Sequence, residues 1–239
     1  MKVKGVLSNI IEKVEHTMFP HYVCPFCGDE TPGGVVCADC NKSLINPVYC
    51  EKCGEHVSEG SRVCIECKEI ERLFDRNYSV YRYENHVAAS IKRFKFNNAK
   101  YLATDFAKLL AKKFADVNID VDIVTCVPST KQRIKERGYN QAAEMAKEFA
   151  NVVELPFVEA LIKTKETPHQ IELSKAERLK NLAGSFSVVD KWLIKGKNVL
   201  IIDDVFTTGS TMSACAKVLK KAGANKVYCL TLAKTALIN

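Results

Sequence analysis

Residues Asn198–Thr211 read NVLIIDDVFTTGST. Val199–Ile202 is a continuous apolar run of strand length, the pattern of a parallel strand buried on both faces. Asp203 and Asp204 follow at its carboxyl end, where open α/β sheets bind ligands. A loop of small hydroxylated residues then enters a helix predicted over Ser210–Ala222 and closed by Gly223. Backbone N–H groups of Thr207–Thr211 and the helix dipole suit a phosphate dianion, Gly209 lets the backbone approach it, and the hydroxyls of Thr207, Thr208, Ser210 and Thr211 donate further hydrogen bonds. The two carboxylates would repel phosphate. They make sense facing the diol of a ribose whose 5'-phosphate lies in the loop. A strand leading into an ordinarily capped helix would explain the loop but not the adjacent acids. The segment is neither a Walker A loop, lacking GKS or GKT, nor a dinucleotide fingerprint, lacking GxGxxG.

Working outward, Tyr78–Tyr83 alternates like a strand, and Val87–Phe114 has helical spacing broken at Asn97–Asn98. Val121–Val127 is a short apolar strand, Asn140–Asn151 a helix rich in Ala, Glu and Met, Phe186–Val189 a strand and Lys226–Leu232 a final strand. Alternation of strand and helix predicts an α/β domain with a central parallel sheet.

Eight of the eleven cysteines form four CxxC pairs: Cys24/Cys27, Cys37/Cys40, Cys50/Cys53 and Cys64/Cys67. Each CxxC turn aims two thiolates at one point, so two turns complete a tetrahedral site and eight ligands suffice for two zinc ions. A disulfide scaffold would need an oxidising compartment, which nothing at the N-terminus indicates. Sequential pairing is the simplest, placing Cys24, Cys27, Cys37 and Cys40 on one ion and Cys50, Cys53, Cys64 and Cys67 on the other; a cross-brace pairing is the alternative. Four thiolates leave no open position, so both sites are expected to be structural. The segment holds few large apolar residues, and metal removal is expected to unfold residues 20–70 alone. Cys126, Cys215 and Cys229 sit in apolar patterns and read as buried small hydrophobes.

The chain has 239 residues, 47% hydrophobic and 26% charged, which suits one substantial core beside a smaller module. No run approaches the ~20 apolar residues of a transmembrane helix and no apolar leader opens the chain, so a cytoplasmic location is expected. Val3, Leu7, Ile10, Ile11, Val14 and Met18 share a helical face, giving an amphipathic packing helix over residues 1–19, with a membrane-surface anchor as the alternative. A net charge of +7 favours polyanions or a phosphorylated ligand, although the lysines are scattered without interleaved aromatics.

Three further elements narrow the reading. Val127-Pro128-Ser129 leads to Arg133, Lys135 and Arg137-Gly138-Tyr139-Asn140-Gln141; Thr167-Pro168-His169-Gln170 leads to Leu173-Ser174 and Glu177-Arg178-Leu179-Lys180-Asn181; and FPxxxCxxC opens the cysteine module at Phe19. Together with the acid pair and TTGST loop, these resemble the ComF family over nearly the whole chain. That resemblance implies a type I phosphoribosyltransferase fold over residues 71–239, preceded by a double zinc ribbon over residues 20–70. It implies that phosphoribosyl pyrophosphate (PRPP) binds with magnesium. Asp203 and Asp204 would hold the ribose, Thr207, Thr208, Gly209, Ser210 and Thr211 the 5'-phosphate, and Ser129, Thr130, Lys131 and Arg133 the pyrophosphate. The segment Lys163–Asn181 would be a mobile loop bringing Lys165, His169 or Arg178 to the site, with Arg178 grouped with Asp203 and Asp204 as catalytic. Its alternative is a solvated loop without a catalytic role. The acceptor-selecting hood would come from Tyr81–Lys113 or the zinc module. Two readings stand: a PRPP-binding protein of DNA uptake that contacts single-stranded DNA or a helicase partner, and an active phosphoribosyltransferase releasing pyrophosphate.

Overall fold

The computed structural model of the chain describes residues 23–31, 35–45, 49–58, 60–164 and 184–236. The helix expected over residues 1–19 lies outside them. Four parallel strands form the central sheet, in the order β1 (Arg76–Arg82), β6 (Lys226–Lys234), β5 (Asn198–Phe206) and β2 (Ile123–Cys126). The apolar run of β5 sits between β6 and β2, and Val199, Leu200, Ile201 and Ile202 are all fully buried, as a continuous hydrophobic strand requires. β5 runs four residues past that apolar run, because Asp203–Phe206 continue to pair with Thr231–Lys234.

Alternate residues of β5 serve two cores. Leu200 and Ile202 face Val87, Ile91 and Phe94 of α3 (Asn85–Phe96), Phe106 and Leu110 of α4 (Leu102–Val117) and Met145 and Phe149 of α6 (Gln141–Val152). Val199 and Ile201 face Met212, Cys215 and Leu219 of α7 (Ser210–Lys221). The period-2 strand and the 3.6-period helices thus meet on both faces of the sheet. Asn98, left-handed at φ 51°, separates α3 from α4 where the sequence predicts a break. Cys126, Cys215 and Cys229 are buried, and burial pushes the Cys126 thiol up to about 12.

Two elements carry no periodic signal. α5 (Lys131–Arg137) buries none of its residues. It exists through its ends: the Thr130 hydroxyl accepts from Arg133 N–H at 3.2 Å, and Gly138, at φ 82°, closes it. β3 (Leu161–Lys163) pairs antiparallel with β4 (Phe186–Val188), so the segment expected to begin as a loop at Lys163 begins as a strand.

The cysteine module shares the cores of the domain. Phe26, 1% exposed, meets the rings of Tyr81 at 4.9 Å and Phe106 at 6.0 Å. Ser90 Oγ donates to Pro25 O, and Arg93 Nη2 donates to Phe26 O at 2.9 Å. Cys24 and Cys40 join the α3–α4 core; Cys50, Cys53 and Cys64 join the opposite core beside Phe74. The two halves of the module therefore straddle β1, one on each face of the sheet. Phe26, inside the first CxxC turn, thus ties residues 20–70, expected to unfold alone on metal removal, to the domain core through Tyr81 and Phe106.

Candidate functional site

The carboxyl ends of β5 and β2 open into a cleft of about 270 Å³ lined by Lys95, Ser129, Arg133, Arg137, Asn140, Gln141, Lys163, Phe186, Asp203, Asp204, Thr207 and Thr211, among others. It lies where strand order places a ligand in an open α/β sheet. Asp203 and Asp204 enter it side by side. Burial, then the neighbouring charge of Asp204, pushes the Asp203 carboxyl up to about 7, against the pull of Lys95. Lys95 Nζ lies 2.7 Å from Asp204 Oδ1. Burial works against the Lys95 charge, yet Asp204 and Asp203 outweigh it and keep the ammonium above its ordinary value.

The loop has the shape its residues suggest. Gly209 is left-handed at φ 73°, and a Cβ there would lie 2.4 Å from Phe206 Cζ and 3.1 Å from Arg72 Nη1, so glycine is required by packing as well as by backbone freedom. Thr208 Oγ1 and Ser210 Oγ share a 2.9 Å hydrogen bond, which aligns the turn into α7. Thr207 and Thr211 present themselves to the cleft.

The RGYNQ element builds the opposite wall. Gly138 ends α5, Tyr139 Oη donates to Phe94 O beside Lys95, and Asn140 Nδ2 donates to Val127 O at 3.1 Å, which positions the β2 loop. Ser129 Oγ donates to Asn140 Oδ1 at 3.2 Å. Arg137 donates to Gln141 Oε1 at 3.2 Å and stacks over Phe96 at 4.9 Å. Burial, then the charge of Arg133, lowers the Arg137 guanidinium below its ordinary value. Gln141 is 2% exposed, and its Nε2 donor has no partner among the described residues.

Of the residues singled out in the sequence, Ser129, Arg133, Asp203, Asp204, Thr207 and Thr211 come together here. Thr130 caps α5, and Lys131 lines an adjacent depression with Ile134 and Lys147. Lys163 ends β3 on the cleft wall; Lys165, His169 and Arg178 lie outside the described residues. Sequence reasoning missed Lys95 as a site residue because KRFKF reads as a solvated helical face. It quoted Arg137, Asn140 and Gln141 without placing them.

The eight paired cysteines form two tetrads, Cys24/Cys27/Cys37/Cys40 and Cys50/Cys53/Cys64/Cys67, with the sulfurs of each within 4.8 Å of one another. That is the sequential pairing. Cys40 N–H and Lys52 N–H point at the sulfurs of Cys37 and Cys50, each at 3.4 Å. The crowded thiols cannot all ionise unaided. In the first tetrad, burial opposes ionisation of Cys24, but backbone donors of Cys27, Cys37 and Phe26 outweigh it and bring the thiol down to about 7; burial pushes Cys27 up to about 12. In the second, hydrogen bonds to Cys53 and Cys67 draw Cys50 down, while Cys50, followed by Cys67, drives Cys53 far up. A divalent cation resolves this conflict, and the donor set is that of structural zinc.

The Phosphoribosyl transferase domain model matches residues 95–236, and the Double zinc ribbon domain model matches residues 14–68. The fold and site thus define a phosphoribosyltransferase-type domain preceded by a double zinc ribbon. Competence protein F of Haemophilus influenzae is 30% identical over 207 residues, spanning 83% of this chain and 90% of that protein. Competence protein ComFC of Bacillus subtilis is 30% identical over 215 residues, 85% and 86% of the two chains, and DNA utilization protein YhgH of Escherichia coli is 26% identical over 208, 84% and 90%. The chain belongs to the ComF family of competence proteins. No helix among the described residues is long and apolar enough to cross a membrane.

Proposed function

We propose that this chain binds PRPP with magnesium in the cleft and serves the uptake or use of DNA. The reading rests on one observation: an acid pair, a hydroxyl-bearing loop and the cations Lys95, Arg133 and Arg137 converge on a single cleft. In this arrangement Asp203 and Asp204 accept from the ribose hydroxyls. Thr207, Thr208, Gly209, Ser210 and Thr211 hold the 5'-phosphate. Ser129 and Arg133, with Arg137 beside them, receive the pyrophosphate, while Thr130 and Lys131 shape the helix start below it. Magnesium, bound together with PRPP, would neutralise pyrophosphate charge next to the acid pair. Two zinc ions fill the cysteine tetrads and act structurally.

The DNA role is supported by what the relatives are called, competence and DNA utilization proteins, and by the net charge of +7. Single-stranded DNA or a DNA-uptake helicase is the partner this suggests, acting in the cytoplasm. A salt-dependent mobility shift of labelled single strands tests the first of these.

The cleft also supports a second reading, phosphoribosyl transfer with release of pyrophosphate. The observation favouring it is the convergence of Lys95, Arg133 and Arg137 with the acid pair on one cleft, where the charge of a departing pyrophosphate would be neutralised. Arg178 would join Asp203 and Asp204 in that chemistry. Calorimetric titration of the zinc-loaded chain with PRPP and magnesium decides the shared premise, with Asp203→Asn/Asp204→Asn as control. Binding that is lost in the variant supports the site; no binding by the wild type overturns it. Pyrophosphate release on adding candidate acceptors separates transferase from binding protein.

A further inference from the structure

Two largely buried ion pairs lead from the zinc ribbon toward the TTGST loop. Two carboxylates of the second cysteine tetrad's knuckles pair with cations of the domain: Glu55, two residues after Cys53, and Glu66, between Cys64 and Cys67. Glu66 Oε2 lies 3.2 Å from Arg72 Nη2, whose side chain is 3% exposed. Arg72 reaches on through Nη1 to the carbonyl of Thr208 at 2.5 Å, inside the loop itself. The same Nη1 is the atom that a Cβ on Gly209 would approach to 3.1 Å. Glu55 Oε2 lies 3.0 Å from Nζ of Lys234, itself 4% exposed, and that ammonium sits 4.9 Å from the centre of the Phe206 ring. Phe206 ends β5 directly before the loop and packs edge-on against Phe74 at 6.0 Å.

Two cations anchored on the second tetrad therefore grip both ends of the turn that precedes α7. A carbonyl held from behind by a guanidinium orients the peptide it belongs to, and the N–H of that same peptide, on Gly209, is directed away from Arg72. In a loop that binds an anion through backbone N–H groups, the orientation of one peptide decides whether a donor faces the ligand. The position of Arg72 is set by Glu66, and Glu66 is fixed by the two metal-binding cysteines that flank it.

We infer that Arg72 is a positioning residue through which occupancy of the second cysteine tetrad sets the affinity of the TTGST loop for phosphate, with the Glu55–Lys234 pair as a parallel brace. The phosphate clause rests on the function proposed above; the mechanical link between tetrad and loop does not. Coupling of this kind is reciprocal, so a phosphorylated ligand tightens metal at the second tetrad by the factor by which that metal tightens the ligand. The first tetrad, on the opposite face of the sheet, has no such connection among the described residues.

The test uses the full-length chain with two zinc ions verified per molecule, as wild type, Arg72→Met, Arg72→Lys and Glu66→Gln. Hydrogen exchange of the peptide spanning Thr207–Ser213 reads the link without any ligand. About tenfold faster exchange in Arg72→Met and Glu66→Gln, with the core strands unchanged, is expected. Exchange equal to wild type in both overturns the inference. Arg72→Lys keeps the charge but loses the fork that reaches Glu66 and the Thr208 carbonyl at once, so it is expected to behave like Arg72→Met; full rescue by lysine also overturns the inference. Titration with PRPP and magnesium then reads affinity. A loss of about tenfold in Arg72→Met, and a matching strengthening of one of the two zinc ions against a chelator at equilibrium in the wild type, supports the coupling. If the wild type binds no PRPP, the proposed function fails, and the exchange experiment still decides the link.

Discussion

Lys95 of α3 and Asp204 of β5 form an ion pair of 2.7 Å at the floor of the cleft, bridging a helix and a strand that approach from different parts of the chain. Lys95→Met leaves the buried Asp204 carboxylate without its charge-assisted partner. The expected cost is about 2 kcal/mol, read as a fall of about 4–8 °C in Tm for a chain of this size. Lys95→Met/Asp204→Asn should recover part of that loss, because the uncompensated charge is gone. A double variant no more stable than the single one removes the pair from the account of stability.

Asp203 supplies a pH signature. Its carboxyl rises on folding from an ordinary 3.8 to about 7, chiefly through burial and the charge of Asp204. A carboxyl raised on folding contributes stability that is fully present below about pH 4 and is lost as pH climbs through about 7. Thermal unfolding scans of the wild type should therefore show a stability component that declines between those limits, and Asp203→Asn should flatten it. Ligand binding runs the other way. If the ionised carboxylate accepts from ribose hydroxyls, PRPP affinity should increase from pH 6 to pH 8 in the wild type and stay level in Asp203→Asn, as calorimetry at both pH values would reveal.

Gly209→Ala forces a Cβ against the ring of Phe206 in a left-handed conformation. A destabilisation of about 1–3 kcal/mol is expected from the combined clash and backbone strain. Gly209→Ala/Phe206→Leu should regain stability by relieving the clash, but not the full loop geometry. Equal Tm values for Gly209→Ala and wild type would show that Phe206 yields at little cost.

Phe26→Ala should cost about 3–5 kcal/mol, as for a fully buried aromatic, although the residue lies between two cysteines of a metal site. Chelation should accordingly change the near-UV signal of the domain aromatics Tyr81 and Phe106, which Phe26 touches, in addition to melting the ribbon. A near-UV spectrum unaffected by chelator, with metal shown to be gone, would contradict this shared core.

The sequence made the strand–acid–loop–helix segment and the cysteine pairs legible because each is a local pattern with one dominant physical cause: a twice-buried strand, an anion loop, a thiolate turn. β1, β5, β6, α3, α4, α6 and α7 follow from periodicity for the same reason. Lys95 and Arg72 were not legible. Their roles depend on which carboxylate or carbonyl lies across the fold, a distance of 109 residues to Asp204 and 136 to Thr208, and a lone cation on a charged helix or loop carries no local mark of its partner. α5 escaped notice because it has caps but no apolar stripe, and β3 because three residues are too few to show alternation. Phe26 was hidden by its neighbours, since a phenylalanine inside CxxC reads as part of a metal knuckle.

The placement of one tetrad on each face of the sheet has a consequence for β1. That strand is the sheet's outer member, paired with β6 on one side. Three of its outward backbone groups are taken by the ribbon: Ile45 N–H donates to Val80 O, Arg82 N–H to Ser43 O and Asn77 N–H to Lys52 O. Without the ribbon, β1 would offer a row of free donors and acceptors flanked by apolar side chains, the template on which unrelated strands pair and chains assemble into insoluble aggregates. The metal module thus doubles as a selvedge for the sheet, and zinc starvation would threaten the solubility of the protein as well as the loop that the second tetrad braces.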